Sequence, residues 1–262
     1  MQILITNDDG IMAPGIQELA RKMSQVGEVI VSAPMEEQSA IGHGITIRDP
    51  IRIRSMNFPN ITKAWAVGGT PADCVKLAVQ EFIDEKCSLV LSGINNGPNL
   101  GTDVLYSGTV SAAIEGAIQG MTSMAISLAS FGAEDYSTAA EITCFLAQKV
   151  YEHRHLIPPD TLLNVNIPAV PREKLKGFRI TKLGQREYAN VFDRRIDPRG
   201  NTYFWLGGEV VPHKDEDPDV DSVAVANNYV SITPIHFDLT NYRIMNRIKD
   251  MELENLEIPP AE

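Results

Sequence analysis

The chain has 262 residues, 44% hydrophobic and 22% charged, the balance of a soluble globular protein with room for one large domain or one domain and an appendage. A formal net charge of -11 leaves no basic footprint for a nucleic-acid polymer. No apolar stretch approaches the ~18 residues of a membrane span, and no basic region precedes the short first apolar run, so no secretory signal is expected. Three scattered cysteines, Cys74, Cys87 and Cys144, without a C-x-x-C, suggest neither a disulfide framework nor a zinc site and point to the cytoplasm.

Residues 2–6 read as an apolar strand that ends abruptly in Asn7-Asp8-Asp9-Gly10. Aspartate is depleted in strands, and two neighbouring carboxylates in one pocket repel unless a cation or a shared proton offsets them. Such an oxygen-rich pair suits a hard divalent ion, Mg²⁺ or Mn²⁺. The plain alternative is an Asp-Gly turn in solvent. Consecutive strand side chains point to opposite faces, so Asp8 and Asp9 converge only if the backbone bends, which Gly10 permits.

Helical spacing of Ile16, Leu19, Ala20 and Met23 predicts a helix over 14–25, closed by Gly27. A strand follows at 28–33, then a polar loop at 34–44 that carries Ser39 and His43. Alternating isoleucines predict an edge or antiparallel strand over 44–54, and 63–67 is another short strand. Thr70, Pro71 and Asp73 form a strong helix start, with the helix running to about residue 84. Strand 88–92 leads into a loop at 93–108 dense in glycine and asparagine, including Asn95 and Asn96. Asparagine oxygen is a neutral ligand for a hard cation, although such residues also cap ordinary turns. The loop ends in Ser107-Gly108-Thr109 at the start of a small-residue helix over 109–120, where free amides and hydroxyls make an anion cradle or a simple N-cap.

Strand 123–128 and helix 136–151 complete a repeated strand–helix pattern. It predicts an α/β fold, a Rossmann-like, mostly parallel sheet with helices on both faces. Ligands of such sheets sit beyond the carboxyl ends of the strands, which brings the loops 7–10, 34–44 and 93–108 to one rim. The rest differs: strands at 161–168 and 178–183, a hairpin at 194–205 turning on Asp197-Pro198-Arg199-Gly200, an acidic stretch at 212–221 whose 217–221 part reads as a solvated loop, a strand at 229–235 and a charged helical tail. Residues 1–183 are expected to be the catalytic core and 184–262 an extension. Its hairpin, with Tyr203, Phe204 and Trp205, either docks on a partner chain or folds back on its own sheet. No dinucleotide, Walker or serine-hydrolase motif occurs.

Taken together, ILITNDDG-x-x-APGI, AP-x-x-x-QSA-x-GH-x-IT, GTPADCVKLA, LVLSGINNGPNLGTDVLYSGTVSAAIEG, NVNIP and YVSITPI resemble blocks of the SurE family of survival-protein-E nucleotidases. The resemblance covers most of the chain and is densest in the N-terminal half. It implies a metal-dependent hydrolase of nucleoside 5′- and 3′-monophosphates, with some activity on short polyphosphate, assembled as a homodimer or homotetramer. It further implies one Mn²⁺ or Mg²⁺ per subunit on Asp8, Asp9, Ser39 and Asn95, and phosphate held by Asn96, Ser107, Gly108 and Thr109. Asp8 or Asp9 is then a candidate base and His43 a candidate acid for the leaving alkoxide. The alternatives are a phosphatase with an aspartyl nucleophile, which usually has D-x-D spacing rather than adjacent acids, and a non-catalytic nucleotide-binding protein.

Overall fold

The structure, a computed structural model, describes residues 1–58, 60, 61, 63–83, 89–189, 191–211, 217–256 and 258. The strand β1 (Gln2–Thr6) leads through α1 (Pro14–Met23) to β2 (Glu28–Pro34), β3 (Ile53–Ser55), β4 (Lys63–Val67) and α2 (Pro71–Leu77). The chain continues with β5 (Leu89–Asn96), α3 (Gly108–Ile118), β6 (Thr122–Ala129), α4 (Ser137–Glu152), β7 (Thr161–Pro168) and β8 (Phe178–Ile180). The last part holds β9 (Tyr188–Ala189), β10 (Phe192–Ile196), β11 (Thr202–Leu206), β12 (Glu209–Val210), α5 (Asp221–Ala226), β13 (Val230–His236) and α6 (Tyr242–Lys249). Cys87, the end of the helix expected to reach 84, residues 212–216 of the acidic stretch and the final Pro-Pro-Ala-Glu lie outside the described residues.

Nine strands form one sheet in the order β3-β4-β2-β1-β5-β6-β7-β13-β8. The six from β4 to β7 are mutually parallel, whereas β3 and β13 run antiparallel to β4 and β7. This is the mostly parallel α/β sheet expected. The sequence explains its two faces. Ile3, Ile5, Val29, Val31, Leu89 and Leu91 pack with Ile16, Leu19 and Met23 of α1 and with α4. The intervening Leu4, Ile30 and Val90 pack on the other face with Val75 of α2 and Ala112 of α3. Such a two-residue alternation of faces is the strand period, and burying each such side chain contributes about 1.5–3 kcal/mol.

The helix start at α2 is as expected. The Thr70 hydroxyl oxygen accepts from Asp73 N at 3.1 Å, and Thr70 N donates to Asp73 Oδ2 at 2.9 Å. The same residues explain why 44–52 is not a strand. Asp73 takes the amide of Thr46 at 3.1 Å, and the Thr70 hydroxyl donates to Gly44 O at 2.7 Å. The loop spends its backbone groups on the helix cap, and Ile45 and Ile47 stay exposed, Ile47 at 78%. Isoleucine alternation there imitates a strand without one.

In the 184–262 stretch, β10 and β11 form the expected hairpin, turning on Asp197, whose Oδ1 accepts from Arg199 N and Asn201 N at 2.8 Å. Every residue of both strands is exposed. β13 instead lies between β7 and β8, so the main sheet draws on both parts of the chain. Asp221 also departs from the solvated reading of 217–221. It is fully buried, and its carboxylate accepts from Gly101 N at 2.7 Å, Gly184 N at 3.0 Å and Ser222 N at 2.7 Å. Asp221→Ala strands these donors and is expected to cost about 3–5 kcal/mol in urea denaturation, a loss within 0.5 kcal/mol of wild type refuting the anchor role. Among the described residues no helix is long and apolar enough to cross a membrane.

Candidate active site

From β1 the chain passes to β2 and β4 on one side, then returns through α2 to β5 on the other. The strand order therefore reverses between β1 and β5, the switch point where α/β sheets open a crevice. Asp8 and Asp9 leave the end of β1, and Asn95 and Asn96 form the end of β5, at that crevice. Sequence composition suggests a loop from residue 93, but β5 continues to Asn96 through a register shift between Ser92 and Asn95. Gly10, at φ +94°, turns the chain, and Asn7 Nδ2 donates to Gly10 O at 2.8 Å to hold the turn.

Asp8 is 5% exposed and lies against the start of α3. Its Oδ1 accepts from the Thr109 hydroxyl at 2.5 Å. Burial raises its pKa to about 6, and the Asp9 charge adds to the rise against the lowering effect of the Thr109 bond. Asp9 is half-buried, and its Oδ2 accepts from Asn96 N at 3.0 Å. Burial pushes its pKa up too; the Asn96 amide opposes this and the Glu37 charge reinforces it. Among the described residues, no lysine, arginine or histidine forms an ion pair with either acid. Thr6 Oγ1 and Asn7 Oδ1, where β1 ends, and Ser92 Oγ, opposite Thr6 on β5, are buried without a protein hydrogen-bond partner. Two adjacent acids without a cationic partner, close to buried unpaired polar atoms in the strands they leave, fit a divalent cation. No group of three His, Cys, Asp or Glu side chains among the described residues could hold a metal, so the candidate set depends on the neutral oxygens of Asn95 and Ser39.

The other sequence-selected residues arrive by separate routes. Asn95 is half-buried, and its Nδ2 donates to Gly97 O at 2.8 Å, which orients the carboxamide. Gln38 N donates to Asp8 O at 2.8 Å and brings the 34–44 loop alongside. Ser39 is exposed, with its hydroxyl donating to Glu37 Oε1 at 2.6 Å rather than meeting the aspartates. Asn96 contributes its amide to Asp9, while its side-chain oxygen accepts from Gly132 N at 2.8 Å and ties down the loop after β6. Ser107 caps α3 by accepting from Val110 N at 3.1 Å, and Gly108 presses against Asp8. His43 Nε2 lies 3.1 Å from Glu115 Oε2, a residue on α3 about 9 Å along the helix from Thr109. Burial alone would raise the Glu115 pKa, but hydrogen bonds from His43 and Gln119 and the nearby Lys76 hold it below the usual carboxylate value.

Several further residues at this rim are not among the candidate site residues that the sequence singles out. Glu37 is a third acid close enough for its charge to act on Asp9. Asn99, Asn164, Asn166 and Ser127 form a buried network. Asn99 N donates to Asn166 Oδ1 at 2.8 Å, Asn99 Nδ2 to Ser127 Oγ at 2.8 Å, and Asn164 and Asn166 both donate to Asn99 O at 2.9 Å. The signal was available: Asn164 and Asn166 are two apart in an otherwise apolar strand, so both face one side.

With this geometry in hand, the comparisons are direct. The family model for survival protein SurE matches residues 3–190. A protein named 5′-nucleotidase SurE from Carboxydothermus hydrogenoformans is 54% identical over 254 residues, 95% of each chain. One of the same name from Heliobacterium modesticaldum is 52% identical over 251 residues, 95% of this chain and 91% of that one. The crystal structure of the Sure protein from Aquifex aeolicus superposes with a TM-score of 0.84 at 41% identity, covering 96% of this chain and all of the other. Sequence and architecture therefore agree over nearly the whole length, and the chain belongs to the SurE family.

Proposed function

We propose that this chain is a metal-dependent phosphomonoester hydrolase, a 5′-nucleotidase, acting also on 3′-monophosphates and short polyphosphate. The relatives named 5′-nucleotidase SurE support the activity. The observation that carries the chemistry is Asp8, buried at the start of α3 beside Asp9, with no cationic side chain among the described residues to offset the pair.

Asp8, Asp9, Asn95 and Ser39 would hold one Mn²⁺ or Mg²⁺. Asn95 offers Oδ1, because its nitrogen is spent on Gly97. Ser39 joins the set by turning its hydroxyl from Glu37. When bound, the ion would polarise a phosphate oxygen and make a bound water more acidic. Thr109 orients Asp8 through its hydroxyl, leaving the first-turn amides of α3 at Gly108 and Thr109 and the Ser107 proton for phosphate oxygens. Asn96 positions Asp9 from the backbone and braces the crevice wall with its side chain. His43, paired to Glu115, is a candidate acid for the leaving oxygen through its other ring nitrogen. The exposed hairpin, where Phe192 and Phe204 meet edge to face at 6.5 Å, supports assembly as a homodimer or homotetramer through 184–262. The composition supports a cytoplasmic setting.

A panel of nucleoside 5′- and 3′-monophosphates, tripolyphosphate and glycerol phosphate, assayed with Mn²⁺, tests the reading. Nucleotides are expected to turn over best, EDTA to stop them and added Mn²⁺ to restore them. Hydrolysis indifferent to EDTA, or absent on every nucleotide, would refute it.

A further inference from the structure

Tyr106 is 66% exposed and immediately precedes the cap residue of α3. Leu105 beside it is 64% exposed, and Ile41 is 39% exposed. The loop bearing Ile41 is fastened to this spot, since Gly42 N donates to Tyr106 O at 3.0 Å. Three large apolar side chains thus stand exposed around the buried polar mouth of the crevice. Resting on the 5′-nucleotidase reading above, we infer that Tyr106, with Leu105 and Ile41, is the platform for the nucleoside half of the substrate, the Tyr106 ring stacking on the base.

Substrate geometry requires something in this place. In a nucleoside 5′-monophosphate one ester oxygen and one methylene join phosphorus to the sugar. Residues flanking the phosphate end must therefore face the nucleoside. Tyr106 is the direct neighbour of Ser107 on the exposed side. Its backbone is held before any ligand arrives: Tyr106 N donates to Asp103 O at 3.0 Å. Asp103 is itself fixed by the Tyr188 hydroxyl at 2.6 Å and by Arg186 Nε at 3.2 Å. A backbone already held in place leaves less freedom to lose on binding.

The chemistry also indicates how the base is read. Neither 104–107 nor 40–42 carries a charged side chain. Stacking on an aromatic ring is tolerant of base identity, because every base has a π-face. The platform therefore separates nucleotides from other phosphomonoesters while discriminating weakly among bases.

The test compares wild type, Tyr106→Ala and Tyr106→Phe with Mn²⁺, on the four common 5′-nucleoside monophosphates and on glycerol phosphate. In Tyr106→Ala the ratio of kcat/KM for nucleotides over that for glycerol phosphate is expected to fall between about fivefold and a hundredfold, chiefly through KM. Tyr106→Phe, which keeps the ring, should restore the ratio. Equal losses on both substrate classes would show a structural role at the cradle and overturn the platform. An unchanged ratio accompanied by a fall in molar mass by light scattering would assign the patch to a second copy of the chain, and would also overturn it. Wild-type protein inactive on every nucleotide would instead sink the nucleotidase reading beneath it.

Discussion

Asp8→Asn is expected to cost about a thousandfold or more in nucleotide hydrolysis and, at the same time, to make the metal-free protein more stable. The activity loss follows from removing a charged oxygen donor at the point where the ion and the phosphate meet. The stability gain follows from the price of burying that charge. Asp8 is 5% exposed, and burial lifts its pKa from 3.8 to about 6. A carboxyl raised in the folded state destabilises folding whenever it is ionised. That cost is fully present above the folded value near 6 and disappears as pH falls towards 3.8. Two units correspond to about 3 kcal/mol as an upper bound. Asparagine keeps an oxygen that can accept from Thr109 and carries no charge to desolvate. Denaturation in EDTA at pH 7 should therefore show Asp8→Asn more stable than wild type by roughly 1–3 kcal/mol, with the difference closing by about pH 4. Added Mn²⁺ should then stabilise wild type but not the variant. A variant less stable than wild type in EDTA at pH 7 would contradict the picture of an uncompensated buried acid.

Such a site was readable in the sequence to different depths. The alternation of strands and helices specifies a sheet, and the rule that ligands gather at carboxyl ends selects three loops without coordinates. Asp8 and Asp9 leave the end of β1, and Asn95 lies near the end of β5, its neighbour in the sheet. What a sequence cannot show is which atom of a residue is used. Asn96 serves Asp9 with its amide, and its carboxamide serves another loop. Thr109 looks like a phosphate ligand but spends its hydroxyl on Asp8. Asp221 reads as one more acid in an acidic stretch, yet it holds three backbone amides in the interior. Ile45 and Ile47 reverse the lesson. Their spacing is that of a strand, but the amide between them, that of Thr46, is taken by Asp73. Local pattern loses wherever a distant side chain competes for the backbone.

Gly108→Ala is expected to lower turnover about a hundredfold while leaving a folded protein. A methyl at Gly108 would stand 2.7 Å from Asp8 Cβ, 2.9 Å from its Oδ2 and 3.2 Å from its Cγ. The nearest of them is Cβ, which side-chain rotation does not move, so turning the carboxylate aside cannot relieve the conflict. Nor can the backbone of Asp8 withdraw easily, since its carbonyl accepts from Gln38 N at 2.8 Å and the preceding Asn7 is fully buried. The helix start and the carboxylate must therefore move apart. A displacement on the order of 1 Å at a reacting centre costs about a hundredfold. Alanine favours a helix over glycine by up to about 1 kcal/mol, while the overpacking costs about 1–3 kcal/mol, so net stability should fall only modestly. The two readouts separate cause from collapse: Mn²⁺-dependent kcat should drop far more than the urea midpoint implies. Thr109→Ser, which keeps the hydroxyl on Asp8 without adding atoms, should stay within a few fold of wild type. Near-normal turnover in Gly108→Ala would mean that the contact between α3 and Asp8 does not set the geometry of the reaction.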